Sequence, residues 1–303
     1  MYIRSCISKY GVGVGLPEWR IRGRSSRVTV DRAQTSPLRH SWEQIPETAR
    51  TAVEALTGPI LRADPVNAGF SSHLAAVIET ARERTFVKGI PLDDPEVWSQ
   101  RREANLWPHV SPIGPPMRWH VTAGGWDLLG FHYLPGHFAD YRIDADLVAT
   151  AATMAALAEL PCPPDLEIND AVQRWGRYAP DPADRALFAG STLLHTDWNY
   201  SNVIIGENGA ARLVDWPWAT RGAAWIDPAC WIVWLVLAGH EPGEAEQWAA
   251  RTPAWHTASR HQLWAFSAAL AGEWESTARR RPNIWTHSLR DAARRWADHR
   301  AMS

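Results

Sequence analysis

His195, Asp197 and Asn202 stand at the spacing H-x-D-x-x-x-x-N, between the apolar pair Leu193-Leu194 and the run Val203-Ile204-Ile205, and a second apolar run ends in Asp215. These residue types suit phosphoryl transfer. A hydroxyl that attacks the γ-phosphorus of a nucleotide needs a carboxylate to orient it and take its proton, and an Asp leaving a strand for a loop can do so. Mg²⁺ prefers hard oxygen ligands and keeps several waters, so one amide oxygen and one carboxylate from neighbouring loops suffice to hold it on the phosphates. The pattern therefore assigns Asp197 as the base and Asn202 and Asp215 as metal ligands, with His195 buttressing the loop through hydrogen bonds. An H-x-D between apolar strands is also what a hydrogen-bonded core pair looks like. An Asn five residues after Asp197 and an Asp thirteen residues after that Asn make the longer pattern more specific than the tripeptide.

The elements that must position these groups are legible from periodicity. Ser41, Glu43, Gln44 and Glu47 read as a helix start, and Ile45, Ala49, Val53 and Leu56 recur at helical spacing until Gly58-Pro59. Strands are predicted at 60–62 and 74–79, joined by a small-residue loop whose backbone N–H groups and hydroxyls, at Gly69, Ser71 and Ser72, could face phosphate oxygens. A third strand, 85–88, ends in Lys88, and Glu103 follows fifteen residues later on a helical segment opened by Asp94-Pro95-Glu96. That order suits an ion pair in which the lysine contacts α- and β-phosphates and the glutamate holds it; a solvated strand end and a helix-surface acid are the plainer readings. Two further strands, 119–122 and 126–131, flank an Ala-Gly-Gly turn. The connector after them, 132–136, offers backbone groups at Tyr133 and Leu134 that could read an adenine edge. Beyond it, 147–160 has helical spacing, Gly206-Glu207-Asn208-Gly209 reads as a hairpin turn bringing Asn202 and Asp215 together, and an apolar helix is predicted over 231–237. Asp227, before Pro228, either accepts N–H bonds from the His195–Asp197 loop or caps that helix.

A length of 303 residues allows two lobes with separate cores, or one large domain. The net charge of −2 gives no bulk reason to expect nucleic acid or a membrane surface, and no apolar run approaches the roughly eighteen residues of a membrane helix. Cys6, Cys162 and Cys230 are too few and too scattered for a metal knuckle or a disulfide framework, which fits a reducing cytoplasm. The 19 Trp are assigned to packing. Residues 1–35, rich in Arg, Gly and Ser, are expected to form a mobile basic extension, and the run Gly11-Val12-Gly13-Val14-Gly15 completes no G-x-G-x-x-G. From Arg279 onward seven Arg face only Asp291 and Asp298, the pattern of a solvated helix face.

In order, Gly69-Phe70-Ser71, Lys88, Arg102-Glu103-Ala104, Tyr133-Leu134-Pro135-Gly136, His195-x-Asp197-x4-Asn202 and Val214-Asp215-Trp216 resemble the motifs of the aminoglycoside phosphotransferase and choline-kinase-like family. The resemblance spans roughly residues 60–240 and implies an α+β, two-lobed, protein-kinase-like fold: a five-stranded antiparallel lobe with one main helix, and a larger, mostly helical lobe. On that basis 36–135 is the nucleotide-binding lobe and 136–303 the catalytic and substrate-binding lobe. The resemblance also implies ATP or GTP as co-substrate with Mg²⁺, and an acceptor hydroxyl of a small molecule lying between Asp197 and the helices of the C-terminal third. Two departures stand out. Family members often have Gly where Thr196 stands, and His or Leu followed by Pro-Gly or Pro-Ser where Trp198 to Ser201 stand. A polycationic acceptor calls for acidic lining, whereas this tail is basic; Glu241, Glu244, Glu246, Glu273 and Glu275 are the acids left to supply a cationic subsite. The alternative on the same scaffold is a catalytically silent nucleotide- or partner-binding module. A protein kinase fits less well, because no D-F-G, A-P-E or long activation segment follows Asp215.

Overall fold

The computed structural model describes residues 39–66 and 72–302. Gly69, Ser71 and the basic segment 1–35 therefore lie outside the described residues. The chain divides into two compact units, one running to Ala104 and including Pro115–Tyr133, the other made of Asn105–Gly114 and everything from Leu134.

In the first unit, β1 (Ile60–Pro65), β2 (Leu74–Thr80), β3 (Arg84–Pro91), β4 (Met117–Ala123) and β5 (Trp126–His132) form one sheet in the order β1-β2-β3-β5-β4. Every pairing is antiparallel. β5 is buried on both faces through Phe131, whereas β4 at the edge alternates between half-buried and exposed, as its sequence does. The β4–β5 turn puts Gly124 and Gly125 at φ 58° and 78°, the two positive values that a two-residue hairpin turn matched to strand twist requires.

The first helix differs from its expectation. Ser41 does initiate a turn, with a capping box to Gln44, but that turn is a 3₁₀ segment, Trp42–Gln44. Proline has no N–H and drives the preceding residue extended, so Ile45 sits at φ −75°, ψ 154° and the helix restarts as α1 (Glu47–Thr57). The restart rotates Leu56 outward, to 56% exposure, and the buried apolar set becomes Trp42, Ile45, Ala49 and Val53, packed with Leu74, Ile78, Val87 and Leu128 of the sheet. α2 (Val97–Val110) follows β3.

In the second unit, β6 (Gly136–Phe138) pairs with β9 (Val203–Gly206), which pairs with β10 (Ala211–Leu213). A second small sheet has the order β7 (Asn169–Asp170), β11 (Thr220–Gly222), β8 (Thr192–Leu194). Helices α3 (Asp144–Ala158), α4 (Ala171–Trp175), α5 (Ile226–Ala238), α6 (Pro242–Ala249), α7 (Arg260–Arg280) and α8 (Ile284–Met302) complete it. Every residue of α5 from Ile226 to Val236 is buried, and α6, α7 and α8 pack around it. A helix apolar on all sides is a core helix. The Arg-rich tail is only partly a solvated face: Leu289, Ala293 and Trp296 of α8 are fully buried, and Trp296 Nε1 donates to Glu246 Oε1 at 2.7 Å. No helix among the described residues is long and apolar enough to cross a membrane.

The predicted connector is partly strand, since β5 extends to His132 and β6 begins at Gly136. Gly136 has φ 154°, and a Cβ there would lie 2.1 Å from the Ile205 carbonyl oxygen. Gly136→Ala should therefore cost about 3 kcal/mol by forcing β6 from β9, lowering Tm by roughly 5–10 °C in a thermal melt; an unchanged Tm would show that the β6–β9 pairing tolerates the displacement.

Candidate active site

In the first unit, β3 delivers Lys88 and α2 delivers Glu103. Their side chains form an ion pair, with the residues only 7% and 4% exposed. Both plainer readings are thereby set aside: neither side chain faces solvent. The pair is positioned from behind. Gln100, one helical turn before Glu103, donates through Nε2 to the Asp127 carbonyl oxygen at 2.6 Å and to Asp127 Oδ1 at 2.7 Å, clamping α2 to β5. Ser72 is buried two residues before β2. The Tyr133 N–H donates to the Arg84 carbonyl oxygen at 3.3 Å, extending the β3–β5 ladder. That N–H is committed to the sheet rather than presented to a ligand, which narrows the predicted adenine contact to the other backbone groups of Tyr133 and Leu134.

In the second unit, β8 leads into His195 and β9 leaves from Asn202, so the H-x-D-x4-N segment spans the gap between two sheets. All its key side chains are buried: His195 at 1%, Thr196 at 6%, Asp197 at 4% and Asn202 at 5%. The loop is tied internally by three contacts. Asp197 N–H donates to His195 Nδ1 at 3.3 Å, His195 Nε2 lies 3.1 Å from the Val214 carbonyl oxygen, and Asn202 Nδ2 donates to the Asp197 carbonyl oxygen at 3.0 Å. With Nδ1 accepting and Nε2–H donating, the hydrogen-bond network assigns a neutral imidazole to His195. Thus His195 joins the Asp197 loop to the strand before Asp215. The β9–β10 hairpin does the same for Asn202: Val203 is opposite Leu213, and Val214 N–H donates to the Asn202 carbonyl oxygen at 3.0 Å.

Two non-glycine residues of this assembly have left-handed backbones, Thr196 at φ 64° and Asp215 at φ 66°. Such conformations persist where surrounding contacts over-determine them, and they gather at functional sites. For Thr196 the main contact is Asp227. The first turn of α5 places its buried carboxylate so that Oδ2 accepts His195 N–H at 3.0 Å, while Oδ1 accepts Thr196 N–H at 2.8 Å and Trp198 Nε1–H at 2.8 Å. Between the two roles open to Asp227 the structure selects the loop anchor. Burial pushes its carboxyl up to about 6, the three donors pulling the other way. On the opposite side, Tyr141 Oη donates to the Trp198 carbonyl oxygen at 2.8 Å, and full burial raises its phenol.

The donor set suits Mg²⁺. With Nδ2 of Asn202 committed to the Asp197 carbonyl, the amide's oxygen is the atom turned the other way, and Asp215 adds a carboxylate from the adjoining strand end. Among the described residues no group of three or more His, Cys, Asp and Glu side chains could hold a metal unaided. An ion that keeps phosphate oxygens and waters needs only one or two protein oxygens.

No protein-family model and no curated protein matches the sequence. Solved structures do match the fold. Choline kinase LicA from Streptococcus pneumoniae superposes with a TM-score of 0.58 at 11% identity, covering 84% of this chain and 98% of the kinase. An aminoglycoside phosphotransferase from Alicyclobacillus acidocaldarius gives 0.59 at 14% identity, covering 86% and 93%. The apo form of a thermostable mutant of aminoglycoside phosphotransferase APH(4)-Ia gives 0.55 at 14% identity, covering 83% and 98%. The fold is that of the kinase-like phosphotransferases. LicA has been solved with AMP, and APH(4)-Ia with ADP and hygromycin B.

Within this kinase-like fold, the acids considered for a cationic subsite are largely engaged. Glu273 receives Arg174 Nε at 3.4 Å and Trp175 Nε1–H at 2.7 Å, and Glu246 receives Arg300 Nε at 2.5 Å and Trp296 Nε1–H. Both side chains are therefore structural. Glu241, Glu244 and Glu275 have surface partners, Arg295, His240 and Arg279. Two contributors had no sequence signal: Arg174, whose Nη1 donates to Thr196 Oγ1 at 2.7 Å, and Tyr141.

Proposed function

We propose that this chain is a phosphotransferase that moves the γ-phosphoryl group of ATP or GTP to a hydroxyl of a small molecule. The observation that carries the reading is the second-unit assembly in which the Asn202 side chain bonds the Asp197 carbonyl and both His195 and the Asn202 backbone bond Val214, next to Asp215. Asp197 is the residue that orients the acceptor hydroxyl and takes its proton, and His195 holds the loop. Asn202 and Asp215 would hold Mg²⁺, which when bound offsets charge on the β- and γ-phosphate oxygens. In the first unit, Lys88, aligned by Glu103, is the contact to the α- and β-phosphates, and Gly69, Ser71 and Ser72 contribute further donors. The structural neighbours solved with nucleotides and with hygromycin B support a nucleotide and a small hydroxylated acceptor. The engagement of Glu246 and Glu273 weighs against an acceptor with several positive charges.

Thermal-shift titration tests the nucleotide half. A ligand that binds only the folded state adds about 2.7 kcal/mol at one hundred times its Kd. Mg-ATP or Mg-GTP should raise Tm by several degrees, and no shift with either overturns the proposal. A phosphorylation screen of hydroxylated metabolites and antibiotics then identifies the acceptor.

A further inference from the structure

We infer that Arg174 is a positioning residue for the Asp197 loop and acts through Thr196. The inference rests on the reading of Asp197 as the residue facing the acceptor. A β-branched residue resists a left-handed backbone, which glycine adopts without steric cost, so Thr196 at φ 64° must be held. Besides the backbone hold from Asp227, its hydroxyl is held. The single Oγ1 hydrogen goes to the Trp218 carbonyl oxygen at 2.9 Å, and Arg174 Nη1 fills an oxygen lone pair at 2.7 Å. The Thr196 N–H is fixed by Asp227, so the peptide leading into Asp197 is gripped at both backbone and side chain.

Arg174 is itself immobilised. Its guanidinium carbon lies 4.2 Å from the Trp175 ring centroid and 5.5 Å from that of Trp218, and its side chain is 15% exposed. Glu273 of α7 fixes it further, accepting Arg174 Nε with one oxygen and Trp175 Nε1–H with the other. If this ion pair served packing alone, an apolar pair of similar volume would serve as well or better, because desolvating two charges offsets much of their attraction. What an apolar pair could not supply is a fixed donor aimed at Thr196 Oγ1. A lysine, with one ammonium in place of a planar fork, could not reach Glu273 and Thr196 in the same geometry. The hydroxyl at a position where family members often carry glycine thus has a use: it gives the loop a handle for α4 and α7.

Two measurements on the full chain test this. The first is backbone amide exchange across residues 193–202 in the wild type, Arg174→Met and Glu273→Gln. Arg174→Met should speed exchange at Thr196 and Asp197 by about tenfold or more while α7 and α8 change less than about twofold. Glu273→Gln, which keeps an acceptor for Trp175, should give a smaller effect in the same amides. The second is Mg-ATP hydrolysis with water as acceptor. Arg174→Met should lower kcat roughly 10- to 100-fold with KM for Mg-ATP nearly unchanged, and in a Thr196→Gly background it should cost little more. Unchanged exchange in the loop overturns the inference, and so does a multiplicative loss in the double variant. If neither Mg-ATP nor Mg-GTP raises the wild type's Tm, the phosphotransferase reading fails, while the exchange comparison still decides whether Arg174 holds the loop.

Discussion

Asp197→Asn should reduce phosphoryl transfer by roughly 10²–10⁴-fold, the usual contribution of a positioned general base, while the thermal shift given by Mg-nucleotide persists. Asp197 is tied to its neighbours through its backbone, its N–H on His195 Nδ1 and its carbonyl on Asn202 Nδ2, so an amide in place of the carboxylate leaves those bonds in place. Loss of rate with retained nucleotide binding therefore reports the carboxylate itself. The measurement is the initial rate with an acceptor from the screen, or with water. A variant that keeps more than about a third of wild-type turnover would remove Asp197 from the chemistry.

Asp227 carries the second large effect, and here activity and stability should part company. Its folded value of about 6 lies above the unfolded value of 3.8, so the native state binds this proton more tightly. The group's contribution favours folding at low pH and is lost as pH rises through about 6, a span worth about 3 kcal/mol. Activity should run the other way. Protonation replaces an acceptor of three N–H bonds with a poorer one, loosening His195, Thr196 and Trp198, so turnover should fall below about pH 6 in a window where this residue adds stability. Asp227→Asn reproduces the protonated state at neutral pH. An amide cannot accept from all three donors, so the loosened loop should turn over roughly 100-fold more slowly. Burial outweighs the three donors in setting the native value, so the neutral variant should melt close to wild type. A pH–rate profile with no acid limb near 6, or full activity in Asp227→Asn, would contradict this account.

How far the sequence carried depended on whether a residue's role was local. The strands around Lys88, the Gly124-Gly125 turn and the hairpin joining Asn202 to Asp215 are written in short-range patterns, and the five-stranded sheet follows from them. The first helix was displaced because Pro46 interrupts a run whose apolar spacing alone looked continuous. Asp227 was legible as one of two roles, since an acid before Pro228 fits a cap as well as an anchor. Arg174 and Tyr141 were not legible at all. They reach the loop from elements 22 and 57 residues away, and nothing in their own neighbourhoods marks them. The fate of Glu246 and Glu273 was equally hidden, because an acid on a helix looks the same in sequence whether it faces a ligand or an arginine.

The burial of α5 also has a consequence for biosynthesis. A helix without a polar side cannot rest in water, and α5 is covered in part by α8, which ends at Met302. While the chain is being made, the segment bearing Asp227 leaves the ribosome well before its cover does, and until then it exposes a strongly apolar surface. The anchor of the Asp197 loop thus emerges before the helix that covers it and is among the last parts of the second unit to be secured. A nascent chain stopped short of α8 would present α5 to chaperones rather than a half-built site.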